Sequence, residues 1–272
     1  MKNIREPAVA GMFYPESASN LQNEVQQLLN DNKPREKFEN VVGIVSPHAG
    51  YAYSGRTAAF AYNAVKGKNY KTIIIISPSH REYFAGISIY NGDAYKTPLG
   101  EVPINKEMRY ELILDNKIIF NGINGHRAEH AVEVQIPFLQ MLLQDFSIVP
   151  IVMGDQNKMF IDELANKLAE VIDDETLIVA SSDLSHFHSK EQADKLDSIV
   201  EKRIAEFDYD NLQKDLETGK CEACGGGAIV AMMKTADLIK KNKSKILSRT
   251  DSGDVTGDNS EVVGYLSAVI FN

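Results

Sequence analysis

The chain has 272 residues, with 29 Lys+Arg against 38 Asp+Glu for a net charge of −9, and 43% of its residues are hydrophobic. That balance suits a globular protein and leaves no basic footprint for a phosphate backbone, which argues against nucleic-acid binding. No apolar run approaches the roughly 20 residues of a membrane span, the N-terminus has no sustained apolar segment of the secretory kind, and two cysteines are too few for a disulfide scaffold. The expectation is a cytoplasmic protein with no membrane attachment.

Apolar periodicity predicts a helix over about 20–30, with Leu21, Val25, Leu28 and Leu29 on one face, then a strand over 41–46 and an alanine-rich helix over 57–66. Ile73 to Ile76 form an unbroken β-branched run, which fits a strand over 72–77 buried on both faces of a parallel sheet. A short strand over 86–90 follows. A helix is expected over about 128–144, kinked by Pro137, then a strand over 147–153, a helix over 158–172 and a strand over 176–181. Helices over 190–206 and 225–241 and strands near 245–250 and 262–271 complete the pattern. Strands separated by helices predict an α/β fold, one three-layer αβα domain over 1–272 with a mostly parallel central sheet.

Polar chemistry falls at strand ends. The strand at 41–46 runs into Pro47-His48, that at 72–77 into Pro78-Ser79-His80, that at 147–153 into Gly154-Asp155, and that at 176–181 into Ser182-Asp183-Leu184-Ser185-His186. In open parallel sheets the ligand crevice lies outside the carboxyl ends of the strands, so neighbouring strands would bring these side chains into one cleft. His48 and His80 are candidate metal ligands, since neutral imidazole suits iron, zinc and copper. Asp183, His186, Glu133 and Cys224 are the candidates for a third. Asp183 and His186, three apart on a turn, also suit an acid/base pair.

Cys221-x-x-Cys224 has no second such pair, which excludes a four-cysteine zinc site. Cys224 precedes Gly225-Gly226-Gly227 and an apolar helix, so it is expected at a helix N-terminus, where thiolate is favoured; Cys221 reads as an incidental loop thiol. His130 and Glu133 fall one turn apart on the expected 128–144 helix and would share a face, as metal ligands or as groups orienting a ligand, with Glu129 as a helix cap. Tyr51, Tyr53 and Arg56, just after His48, are candidates for the cleft mouth, Arg56 for an anionic group. His126 and His188 read as solvated. Dinucleotide, P-loop, nucleophile-elbow and zincin motifs are absent.

The opening REPAVAGMFYP at 5–15, SPHAGYAYSG at 46–55, SPSH at 77–80, EHAVEVQIPFL at 129–139, SSDLSHF at 181–187, ACGGGAI at 223–229 and GYLSAVIF at 264–271 together resemble the Memo family, also called AmmeMemoRadiSam system protein B. The resemblance implies an αβα domain related to class III extradiol dioxygenases that use non-haem Fe(II). It implies metal positions at His48, His80 and Cys224, with Asp183 and His186 beside them. Cysteine then stands where the dioxygenases carry a carboxylate, so their reaction does not transfer. Fe(II) is the first expectation for the metal, with Cu or Zn as alternatives. The resemblance also implies a peptide-binding role and a functional association with radical-SAM and AMMECR1-type proteins.

Three functions follow. The first is a mononuclear metal protein of oxidoreductase type, with His186 and Asp183 handling protons. The second is an adaptor that binds a peptide or small ligand without turnover. The third is a metal-dependent hydrolase in which zinc activates water.

Overall fold

A computed structural model describes residues 2–272. The chain runs β1 (Ile4–Arg5), α1 (Ala18–Asp31), β2 (Gly43–Ser46), α2 (Tyr51–Ala64), β3 (Thr72–Pro78), β4 (Ile87–Tyr90), β5 (Ala94–Thr97), β6 (Gly100–Pro103), α3 (Lys106–Ile113) and β7 (Ile119–Gly122). It continues with a 3-10 turn (Glu133–Gln135), α4 (Ile136–Leu142), β8 (Ser147–Met153), α5 (Lys158–Val171), β9 (Thr176–Ser181), β10 (His186–His188), α6 (Lys190–Ala205), α7 (Tyr209–Glu217), α8 (Gly226–Leu238), β11 (Lys243–Asp251), α9 (Gly253–Thr256) and β12 (Val262–Phe271).

Nine strands form one mixed, mostly parallel sheet in the order β10-β12-β2-β9-β3-β8-β4-β7, with β11 on β12; a small sheet, β1-β5-β6, stands apart. The four strands whose ends carry the polar chemistry, β2, β9, β3 and β8, are consecutive neighbours and mutually parallel. Their carboxyl ends therefore open on one edge. Alternation of side chains across the pleat divides the isoleucine run of β3. Ile73 and Ile75 join α1, α2 and α4 in one core; Ile74 and Ile76 join α3, α5, α6, α7 and α8 in the other. Helices thus cover both faces, and the α/β expectation is met.

Several elements differ from the sequence reading. The second helix begins at Tyr51, not 57, because its start is buried against α1 and the core. The expected helix over 128–144 is a loop, a 3-10 turn and the short α4; Pro137 lies in the first turn of α4, where its missing N–H costs nothing, and introduces no kink. The β5–β6 hairpin, α3, β7 and α7 lie in stretches that carried no expectation. No helix among the described residues is long and apolar enough to cross a membrane.

Candidate metal centre

His48 and His80 leave the ends of β2 and β3, and Cys224 sits one residue before Gly225, the N-cap of α8. One ligand atom from each of the three lies within 4.8 Å of the others. The His48 and His80 rings are edge-to-face at 5.0 Å, and Cys224 Sγ is 3.2 Å from His48 Nε2.

The surroundings of His48 fix its tautomer. Ser181, at the end of β9, donates its hydroxyl to the Ala131 carbonyl at 2.7 Å. Gln135 Nε2 donates to Ser181 Oγ at 2.8 Å and to the Pro47 carbonyl at 3.0 Å, while Tyr62 donates to Gln135 Oε1 at 2.6 Å. The Ser181 hydrogen is therefore committed, and its oxygen must accept at the 2.9 Å contact with His48 Nδ1. His48 carries its proton on Nδ1, and Nε2 presents a bare lone pair to the cluster. The Cys224 thiol is then the donor in the Sγ–Nε2 contact.

His80 is oriented in the same way by a carboxylate. Its Nδ1 lies 2.9 Å from Glu129 Oε1, and its backbone N–H donates to Oε2 at 2.7 Å. Glu129 also accepts from the N–H groups of His130 and Ala131. Burial alone would raise the Glu129 carboxyl, but the hydrogen bonds and charge of His80 outweigh it and hold the group at about 2. An ionised carboxylate only accepts, so His80 donates Nδ1–H to it, and Nε2 is the nitrogen left for the cluster. A carboxylate or hydroxyl behind each imidazole is the arrangement that orients metal-binding histidines.

Electrostatics favours the neutral imidazole at His48. Burial first, and the adjacent His80 second, push His48 well below the ordinary histidine range. Burial raises the Cys224 thiol, aided by the Asp183 charge, and overrides the helix-terminus effect expected from sequence. A cation there would displace the thiol proton. The site accordingly fits a metal through its donor set: two imidazoles anchored through Nδ1 and one sulfur, with ligand atoms within 4.8 Å of one another.

Asp183 is buried beside the cluster, accepts the His48 N–H at 2.7 Å, and is raised by burial. His186 is half-buried and lines a cavity of about 440 Å³ together with Cys224, Gln156 and Cys221. Its charge acts on both His48 and Asp183. His130 stacks on His80 at 4.7 Å and lies 5.4 Å from His48; burial and the nearby His48 lower it to about 4, and its buried Nδ1 has no hydrogen-bond partner.

Other expected residues are held elsewhere. Glu133 does not share a face with His130: it turns into the core, where it accepts from Arg5, Ala8 N–H, Val9 N–H and the Tyr14 hydroxyl. Tyr51 is buried, packs on Tyr14 and Phe138, and donates to the Val134 carbonyl. Arg56 is exposed on α2, with its charge acting on Asp254. His126 is not solvated but fully buried, 2.8 Å from the Tyr95 hydroxyl; burial lowers it to about 3. His188 pairs with Glu222 at 2.9 Å. Cys221 is a buried core thiol, raised by burial to about 11. The residues that orient the cluster, Glu129, Ser181 and Gln135, had no sequence signal for that role beyond their place inside the quoted motifs.

The Memo-like protein family model matches residues 5–269. The chain belongs to the Memo family. A MEMO1 family protein of Thermoplasma volcanium is 38% identical to this Memo chain over 269 residues, 98% of each sequence. One from Thermoplasma acidophilum is 39% identical, covering 97% of this chain and 98% of its own. One from Methanosarcina mazei is 36% identical, covering 98% and 99%. The crystal structure of an uncharacterized protein from Escherichia coli K12 aligns with a TM-score of 0.50 at 16% identity, over 74% of the Memo chain and 86% of that chain; that likeness is one of fold.

Proposed function

We propose that this Memo protein is a mononuclear, non-haem metal-binding protein of oxidoreductase type, with His48, His80 and Cys224 as ligands. The observation that carries the reading is the pair of anchored imidazoles: both are hydrogen-bonded from behind through Nδ1, which leaves Nε2 as the nitrogen available to a metal, with a thiol within reach. Such bracing supports a ligand role more strongly than residue identity does. Fe(II) stands first because of the resemblance to the extradiol dioxygenases. Copper is the alternative, because a thiolate with two imidazoles suits it equally. Either metal supplies one-electron redox chemistry when bound. The protein's residues divide the remaining work. Glu129 and Ser181 hold the imidazoles in register, Asp183 fixes the His48 backbone, and His186, open to the cavity beside Cys224, carries protons to and from a ligand there.

The test is metal content and dissociation constant after anaerobic loading with Fe(II) and, separately, Cu(I), for the unsubstituted protein and for Cys224→Ser. The expected result is stoichiometric metal in the first and at least a roughly tenfold weaker affinity in the second. Equal retention by both removes the thiolate from the site. Zinc-dependent, oxygen-insensitive ester or amide turnover would favour the hydrolase instead.

A further inference from the structure

Gln156 lies three residues past the end of β8, next to Asp155. The Gln156 carboxamide spans the turn that carries Cys224. Its Nε2 donates to the Cys224 carbonyl at 2.8 Å, and its Oε1 accepts the Gly227 N–H at 2.7 Å. A carbonyl only accepts and an N–H only donates, so the amide can sit only this way round. Gly227 lies in the first turn of α8, where backbone N–H groups have no partner within the helix. One side chain thus satisfies an orphan donor and fastens the main chain of the thiol residue. The sequence makes room for it: a Cβ on Gly227 would lie 2.8 Å from both Gln156 Cβ and Oε1.

The other side of the turn is held by β9. The Cys224 N–H donates to the Asp183 carbonyl at 3.2 Å, the Asp183 N–H to Cys224 Sγ at 3.3 Å, and the Gly225 N–H to Ser182 Oγ at 2.9 Å. A Cβ on Gly225 would lie 2.2 Å from the Ser181 carbonyl, so the turn can approach β9 this closely only as glycine. The sulfur is consequently located from two strands, β9 and β8. His48 needs no help from Gln156, since Ser181 and Gln135 already orient it.

We propose that Gln156 is a positioning residue for Cys224, its carboxamide bracketing the Cys224–Gly227 turn so that the thiol is held toward His48. The proposal rests on the reading of Cys224 as a metal ligand. Gln156 also borders the 440 Å³ cavity, so water can replace its hydrogen bonds when it is removed, and the fold should tolerate the change.

The experiment compares the full-length unsubstituted protein with Gln156→Met, which keeps length but not hydrogen bonding. Three quantities are read: amide exchange at Gly227 and site-resolved alkylation of Cys224, both without metal, and Co(II) binding through the thiolate-to-cobalt absorption band. The expected result in Gln156→Met is exchange at Gly227 faster by about tenfold, several-fold faster alkylation, and a Co(II) dissociation constant raised by about tenfold with an altered band. Gly227→Ala, whose Cβ displaces the carboxamide, should give the same pattern and serves if Gln156→Met does not fold. Unchanged Gly227 exchange overturns the bracket. Faster exchange with alkylation and cobalt binding both unchanged overturns the positioning role and leaves a helix cap. Absence of a thiolate–cobalt band in the unsubstituted protein overturns the ligand reading, and exchange with alkylation then decides separately whether Gln156 holds the thiol.

Discussion

Arg5→Met is the perturbation with the largest effect expected outside the His48–His80–Cys224 cluster. Arg5 and Glu133 side chains are 4% and 0% exposed and form a buried ion pair. Glu133 also accepts from Ala8 N–H at 2.8 Å, Val9 N–H at 3.1 Å and Tyr14 at 2.5 Å. Arg5 also donates from Nε to the His126 carbonyl at 3.1 Å and from Nη2 to the Glu129 carbonyl at 2.5 Å. Methionine keeps most of the stem but removes every donor, which leaves a buried carboxylate with neutral partners only. Breaking a buried pair from one side costs about 3–5 kcal/mol, against a total stability of about 5–15 kcal/mol. Removing both charges with Arg5→Met/Glu133→Gln, which keeps an acceptor for the Val9 N–H and the Tyr14 hydroxyl, should recover part of the loss, because the uncompensated charge is the main penalty. Urea denaturation at pH 7 followed by circular dichroism, with Arg5→Met, Glu133→Gln and the double variant in one cycle with the unsubstituted protein, reads the difference directly. A cost under about 1 kcal/mol for Arg5→Met, or a double variant no more stable than the single, refutes the reasoning. The same substitution loosens the segment that carries Glu129, so metal affinity should fall with it.

Ser181→Ala removes the acceptor that pins His48 Nδ1–H, and calorimetric titration should show metal binding weakened by about tenfold, with a stability cost of about 1–3 kcal/mol from the buried partners left unpaired; undiminished affinity would mean that the tautomer is fixed in another way. Burial raises Asp197 to about 6 against the opposing Ser185 hydrogen bonds, so the native state holds this proton more tightly than the unfolded chain does. About 3 kcal/mol of stability should therefore be present below about pH 4 and lost as pH rises through about 6. Asp197→Asn should flatten the stability curve over that window, and superimposable curves would exclude the assignment. A Cβ on Gly43 would lie 2.3 Å from Met232 Sδ and 3.0 Å from the Ile178 carbonyl. Gly43→Ala should cost about 1–3 kcal/mol in denaturant, and a neutral outcome would show that the Met232 side chain relaxes freely.

The parallel centre of the sheet was legible because Ile73 to Ile76 are apolar on both faces, a pattern that a covered strand requires. The first helix was legible from its stripe: Leu21, Val25 and Leu29 are its buried residues. β6 and α3 escaped because they bury little: β6 exposes most of its residues, and α3 buries only Met108 and Leu112. The segment after residue 128 misled because Glu129, Glu133 and Gln135 read as polar positions of a surface helix. All three are buried, each drawn to a different partner, and those side-chain bonds override helical periodicity. The cluster of His48, His80 and Cys224 was visible in motif residues at strand ends. Its bracing was not, since the contacts that Ser181, Gln135, Gln156 and Glu129 make with the cluster residues and their neighbours depend on strand order β2-β9-β3-β8, which no local pattern encodes.

The three cluster residues stand at positions 48, 80 and 224, so in an unfolded chain they are separated by long loops whose closure is entropically costly. Without metal, a hydrogen bond from thiol to imidazole is all that links Cys224 to His48 directly. A cation at the same point would be a covalent-strength tie between β2, β3 and the start of α8, available only to the folded chain. At a free metal concentration a hundredfold above the dissociation constant, such selective binding adds about 2.7 kcal/mol to the folded state. Metal supply would then set how long each molecule survives proteolysis, and metal-starved cells would hold less of the protein as well as less of its loaded form.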